Sequence, residues 1–197
     1  MCVPLEAFLV STGLVAVAEI GDKTQLLAMM LAARYRKPVP IIFGIFFATI
    51  LNHAGAAALG FVVAKWLSGP TFQFLVAAGF IGMGLWALVP DKEDEDAGAR
   101  TAGGVFLTTL VAFFLVEIGD KTQIATTLLA ARFQELLLVT AGTTLGMMLA
   151  NVPAVFLGEA ATKVVPLKYV RIAAALVFIA IGISVMAAAF LKPGIFF

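Results

Sequence analysis

Two identical seven-residue segments place charged side chains inside apolar stretches of this chain. Residues 19–25 and 117–123 both read Glu-Ile-Gly-Asp-Lys-Thr-Gln. Each copy offers two carboxylates, an ammonium group, a hydroxyl and an amide, which together can bind a cation or exchange protons. Charged groups are costly inside a membrane, so ionisable residues within membrane-spanning segments mark functional sites.

The similarity of the two segments continues beyond the motif. In the same register, residues 19–34 and 117–132 agree at 11 of 16 positions. Self-similarity at a fixed offset indicates an internal duplication. We therefore predict a first repeat at residues 1–90, an acidic cytoplasmic linker at residues 91–101, and a second repeat at residues 102–197.

The composition predicts an all-α integral membrane protein. Apolar residues make up 62% of the chain and the mean hydropathy is +1.06, whereas soluble domains are about 45–50% apolar. The single cysteine excludes an intrachain disulfide. The chain start lacks the basic segment of a signal peptide, so we expect the first apolar run to be a retained span. Nothing in the sequence favours nucleic-acid binding.

Hydropathy predicts six transmembrane helices. Their expected limits are 5–33, 39–64, 71–89, 103–131, 136–161 and 167–191. Because about 20 helical residues cross a bilayer, the first and fourth helices are overlong and must tilt, kink or break. Three spans in each repeat, an odd number, invert the second repeat relative to the first, which is the plan of many secondary transporters.

The basic residues predict the orientation of these spans. Eight of them fall on the side of the linker: Arg34, Arg36, Lys37, Lys92, Arg100, Lys163, Lys168 and Arg171. Three fall on the other side: Lys65, Arg132 and Lys192. Cytoplasmic loops carry the excess of Lys and Arg, so we expect the linker in the cytoplasm and both termini outside.

On an unbroken helix the motif would present one polar face. Glu19, Asp22 and Lys23 would lie within a sector of about 100°, with Gln25 beside the aspartate. Thr24 would point away from this face and could contribute only if the helix unwinds at the motif glycine. The second copy would place Glu117, Asp120, Lys121, Gln123 and Thr122 in the same way. Both glutamates would lie about 21 Å along their helices, near mid-membrane.

These side chains predict a site for a divalent cation. The candidate metal ligands are Glu19, Asp22, Gln25, Glu117, Asp120 and Gln123. Candidates for accessory roles or proton coupling are Lys23, Lys121, Thr24, Thr122, Asn52 and Asn151. Oxygen ligands without Cys or His suit Mg²⁺, Ca²⁺ and Mn²⁺ better than Zn²⁺ or Cu⁺. Four carboxylates and two ammonium groups would leave two negative charges, which a divalent cation neutralises.

Clustered carboxylates in a dry site take up protons when the metal leaves, so cation/proton exchange follows as a mechanism. No resident cofactor is expected, since the metal would be the substrate. A structural alternative is that Glu19 and Lys23 merely form an i,i+4 salt bridge. His53, the sole histidine, is interpreted as a polar packing residue rather than a proton relay or metal contact.

The paired Glu-x-Gly-Asp-Lys-Thr signature resembles that of a family of cation/proton exchangers. This family includes the yeast Gdt-type and human Golgi manganese/calcium transporters and the bacterial MneA-type manganese exporters. The resemblance covers nearly the whole chain. It implies Mn²⁺ or Ca²⁺ transport coupled to protons, with export of Mn²⁺ across the inner membrane, and it assigns Glu19, Asp22, Glu117 and Asp120 as the family's acidic residues.

Other classes of protein remain open at this point. A passive divalent-cation channel would lack proton coupling, and a small-solute exporter of the amino-acid type would move solute without metal. An intramembrane aspartyl protease also has two facing aspartates, but here a glutamate replaces the first glycine of its usual Gly-x-Gly-Asp motif. We therefore predict a transporter rather than an enzyme, with a divalent cation, protons and the lipid bilayer as partners and a homodimer left open.

Overall fold

The computed structural model describes residues 3–67, 69–89, 104–157 and 167–191. These residues form eight helices and no strand, so the all-helical prediction is confirmed for the described part. The helices are α1 (Val3–Glu19), α2 (Lys23–Tyr35), α3 (Pro38–Trp66), α4 (Pro70–Ala87), α5 (Gly104–Glu117), α6 (Lys121–Phe133), α7 (Leu136–Leu157) and α8 (Leu167–Leu191). The predicted linker at residues 91–101 lies outside the described residues, as do Lys92, Arg100, Lys163 and Lys192 of the charge count.

The first and fourth predicted helices, which were expected to tilt, kink or break, do break. Each is divided at the motif, between α1 and α2 and between α5 and α6. The break has a local cause, because Gly21 and Gly119 adopt φ of 77° and 76°, a left-handed conformation that glycine tolerates and an α-helix excludes. Asp22 and Asp120 then start the following helices as N-caps in extended conformation.

Three helices are long and apolar enough to cross a membrane singly, namely α3, α7 and α8. The pair α1–α2, bent by 68° at its break, can serve as a fourth span, and α4 and α5 are shorter apolar helices. The described residues thus form a helical protein with three or four candidate spans. Six spans remain a prediction.

Helices from the two halves pack against each other closely. A Cβ on Gly142 of α7 would lie 2.6 Å from the Phe8 carbonyl oxygen, and one on Gly146 would lie 2.6 Å from that of Thr12. Residue numbers rise together along this contact, so α1 and α7 run parallel. Small residues at a helix crossing allow such close backbone approach in membranes.

Helices α4 and α8 pack in the opposite sense. The rings of Phe74 and Phe190 are 4.9 Å apart and those of Phe80 and Phe178 are 6.5 Å apart. Because residue numbers rise along α4 as they fall along α8, the two helices run antiparallel. Much of the main hydrophobic core lies along this pair and against α6, and a second core joins α2, α3 and α5.

Candidate functional site

The two helix breaks bring three carboxylates together. Glu19 ends α1, Asp22 precedes α2 and Asp120 precedes α6, and one carboxylate oxygen of each lies within 4.8 Å of the other two. The three residues are at most 5% exposed. Since both aspartates stand at helix N-termini, the partial positive charge of each helix end stabilises them.

The fourth motif carboxylate, Glu117, lies outside this group of three but close enough for its charge to interact with Asp120. Both of its oxygens accept hydrogen bonds from α3. Thr49 Oγ1 donates to Oε1 over 3.1 Å, and Asn52 Nδ2 donates to Oε2 over 3.0 Å. Asn52 Nδ2 also donates to the carbonyl oxygen of Phe114, near the end of α5, over 3.1 Å. Asn52 therefore donates hydrogen bonds both to the backbone of α5 and to the Glu117 carboxylate.

The surroundings of Glu19 differ from those of Glu117. Thr24 Oγ1, from the same motif, donates to Glu19 Oε2 over 2.5 Å, and Glu19 Oε1 has no hydrogen-bond partner among the described residues. The sequence allowed Thr24 to reach the acidic face only if the helix unwinds at the motif glycine, and the break at Gly21 meets that condition. The counterpart of Thr24, Thr122, is also buried, at 1% exposure.

The motif lysines make different contacts. Lys23 Nζ lies 3.5 Å from Asp120 Oδ1, so this ammonium pairs with a carboxylate of the other repeat. Lys121 Nζ donates to the carbonyl oxygen of Val89 over 2.9 Å and lies 5.8 Å from the centre of the Trp86 ring. The salt bridge found for Lys23 thus crosses between repeats, unlike the i,i+4 pair with Glu19 considered from the sequence.

The motif glutamines stabilise the helix breaks. Gln25 Oε1 accepts the Gly21 N–H over 2.8 Å, and Gln123 Oε1 accepts the Gly119 N–H over 2.7 Å. Gln25 Nε2 also donates to the Ala150 carbonyl oxygen of α7 over 3.0 Å. At membrane depth, backbone N–H groups must find their hydrogen-bond acceptors within the protein. Both amide oxygens that were expected to bind metal therefore accept hydrogen bonds from backbone N–H groups.

The remaining candidates lie in α3 and α7. Asn151 donates to the carbonyl oxygen and the sulfur of Met147, over 3.1 Å and 2.9 Å, and its side-chain oxygen has no partner in the described chain. His53 is fully buried, and neither ring nitrogen is hydrogen-bonded within the described residues. Thr49 was not among the site residues predicted from the sequence. The only sequence feature that pointed to it is its position one helical turn before Asn52, and its counterpart in the repeat register, Met147, is apolar.

A cavity adjoins the carboxylate group on one side. Its lining includes Gly21, Asp22, Met83, Lys121, Arg171 and Phe178. It lies where the end of α4 meets the start of α8. Asp22 therefore belongs to the carboxylate group and also lines the cavity.

The charges at the breaks suit a divalent cation. When all three carboxyl groups are ionised, the Lys23 ammonium leaves two net negative charges within the buried site. Hard divalent cations bind such oxygens. The fold and this arrangement define an integral membrane protein with an acidic site buried between its two halves.

Comparison with known proteins assigns this chain to a family. The family described as "Divalent cation/proton antiporter GDT1" matches residues 7–95 and 105–193, and the chain belongs to it. Each matched region contains one copy of the motif. The family consists of transporters rather than enzymes, so the prediction of a membrane transporter of the cation/proton antiporter class is confirmed.

Curated relatives agree with this assignment. The chain is 48% identical to a Vibrio cholerae protein named "Putative manganese exporter" over 176 residues, covering 89% of this chain and 88% of the relative. It is 30% identical to a GDT1-like protein of Synechocystis over 198 residues, covering 88% and 93%. A GDT1-like protein of Arabidopsis thaliana is 26% identical over 220 residues, covering 91% and 95%. No solved structure matches this chain.

Proposed function

We propose that this protein exports Mn²⁺ from the cytoplasm across the cell inner membrane in exchange for protons, with Ca²⁺ as the second candidate metal. The observation that carries the proposal is the buried group of Glu19, Asp22 and Asp120, assembled from both repeats. The choice of manganese is supported by the name of the Vibrio cholerae relative. The export direction follows that name as well.

The ligands in this proposal are the three grouped carboxylates, with Glu117 close by as a further negative charge. Gln25 and Gln123 hold the helix breaks, because their amide oxygens accept backbone N–H groups. Metal and protons compete for the same carboxylate oxygens. Loading of the metal therefore expels protons, and protonation from the other side releases the metal.

The proposed architecture has six spans arranged as two inverted repeats. In support, α4 and α8 occupy corresponding places in the two repeats and run antiparallel. Inversion would let one central site open alternately to the two sides of the membrane. We propose that both termini lie outside, on the strength of the distribution of basic residues.

Metal-driven proton movement in proteoliposomes tests the proposal. A trapped pH dye reports proton flux on addition of Mn²⁺, Ca²⁺ or Mg²⁺, for the wild type, for Asp120→Asn and for Glu135→Gln. Asp120→Asn removes a grouped charge with little change in volume, so we expect its flux to be lost. Glu135→Gln neutralises a carboxylate between α6 and α7 and should retain the flux.

Each other outcome has a definite reading. Metal entry without proton flux would identify a channel, and metal-independent efflux of amino acids would identify a solute exporter. Full exchange by Asp120→Asn would refute the assigned site.

A further inference from the structure

Gln73, in the first turn of α4, has a buried side-chain amide that makes no hydrogen bond to the described residues in this conformation. Its side chain is 4% exposed, and neither the oxygen nor the nitrogen has a hydrogen-bond partner among the described residues. An unsatisfied buried amide is unfavourable, and native proteins contain few of them. A conformation that admits water to Gln73 would remove this penalty.

The repeat register gives Gln73 a structural counterpart. Gly84 and Gly182 are 98 residues apart, and a Cβ on either would lie 2.9 Å from a carbonyl oxygen of the facing helix, that of Ala175 and that of Ala77 respectively. These two acceptors are also 98 residues apart. The contacts between α4 and α8 are thus reciprocal, and the same register places Gln73 opposite Arg171.

Arg171 is half-buried and, together with Lys121, lines the cavity that borders Asp22. In the repeat register, Arg171, Asp22 and Lys121 correspond to Gln73, Asp120 and Lys23 respectively. Of these, Lys23 and Asp120 already form the ion pair between the repeats.

The two positions belong to opposite ends of the α4–α8 pair. Ala87, at the end of α4, lines the cavity with Arg171. Gln73 lies 14 residues earlier, or about 21 Å along the helix. Any route past Gln73 must therefore open toward the other membrane face.

We propose that the cavity beside Arg171 is one access route to the carboxylates and that Gln73 lines a second. The second route is closed in this conformation and becomes hydrated when the first one closes. The proposal rests on the proposed exchange function, because an exchanger needs access from both faces, one face at a time. Gln73 acts as a positioning residue for the conformational change. It does not contact the metal.

Thiol labelling tests the location of the route. Gln73→Cys and Arg171→Cys are each made with Cys2 replaced by serine, and vesicles of both orientations are treated with a membrane-impermeant maleimide. We expect the two cysteines to react from opposite faces, and addition of Mn²⁺ or acid to change the two labelling rates in opposite directions. Labelling of both from one face, or no labelling of Gln73→Cys in any condition, would overturn the proposal.

Exchange assays test the role of the amide. Gln73→Leu removes the unsatisfied group and should stabilise the closed route, so we expect metal-driven proton flux at least tenfold slower, with unchanged Mn²⁺ affinity and a melting temperature no lower than that of the wild type. Gln73→Asn keeps a hydratable amide and should restore most of the flux. Wild-type flux in Gln73→Leu would refute the inference.

The two proposals can fail separately. Absence of flux in wild-type liposomes would refute the exchange function, whereas the labelling experiment does not depend on flux. Normal wild-type exchange with unaffected Gln73→Leu would refute only the role of Gln73.

Discussion

At the scale of single residues, the two motif glutamates are not equivalent although their sequences are identical. Glu117 accepts hydrogen bonds from Thr49 and Asn52. The corresponding positions in the other repeat hold Met147 and Ala150, whose side chains cannot donate such bonds. The surrounding helices therefore supply hydrogen bonds to both oxygens of Glu117 and leave an oxygen of Glu19 without a partner among the described residues.

Thr49→Val should weaken Mn²⁺ binding. Hydrogen bonds to charged groups contribute about 1.5–3 kcal/mol, so loss of this donor disfavours the negative charge of Glu117 beside the site. We expect the Kd for Mn²⁺, measured by isothermal titration calorimetry, to rise about tenfold, since 1.4 kcal/mol corresponds to a factor of about ten. The control is Thr140→Val, whose hydroxyl donates within α7 to the Leu136 carbonyl oxygen. Equal affinity in Thr49→Val and the wild type would contradict this role.

At the scale of helices, the break at each motif is what assembles the site. It turns Asp22 and Asp120 into N-cap residues and lets the chain change direction by 68° between α1 and α2. The motif glycines make this conformation accessible, and the motif glutamines satisfy the glycine N–H groups.

Gly119→Ala should disrupt the second break. The added methyl group meets nothing within 4 Å, so the penalty is conformational and arises from φ of +76°. A left-handed conformation costs other residues about 1–2 kcal/mol. We expect a melting temperature lower by several degrees and a reduced exchange rate. Gly13→Ala serves as the control, because it also has open space and lies inside α1 with no positive φ.

Comparison of these two glycine variants shows whether backbone strain at the break causes the lower melting temperature and the reduced exchange rate. If Gly13→Ala and Gly119→Ala lower the melting temperature equally, the strain at the break is not responsible. A selective loss in Gly119→Ala would tie exchange to the geometry of the break.

The break also marks the limit of prediction from the sequence. The duplicated motif and the overlong apolar runs indicated where charge would enter the membrane and that these spans must bend. The contact of Thr24 with Glu19 depended on unwinding at the motif glycine, which the sequence only allowed. The pairing of Lys23 with Asp120 could not follow from the sequence, because it joins segments far apart in the chain. Thr49 was equally hidden, since only the packing of α3 on α5 gives its hydroxyl a carboxylate to bond.

At the scale of the whole molecule, the two repeats are intertwined rather than placed side by side. Helix α1 packs on α7 of the second repeat, while α3 packs on α5 and α6. Each half therefore buries apolar surface and close backbone contacts mainly against the other. A half expressed alone would expose these faces to lipid without their partners.

Two co-expressed fragments, residues 1–95 and 96–197, should consequently assemble. We expect them to co-purify from membranes and to restore metal-driven proton flux, whereas either alone should be degraded. Gly142→Leu should abolish the association, because even a Cβ at this position would lie 2.6 Å from the Phe8 carbonyl oxygen of α1. Gly55→Leu, at an exposed position of α3 with open space, should have no effect. Stable, membrane-inserted single fragments would mean that the repeats fold independently, and the site would then form by docking of finished halves rather than by their joint folding.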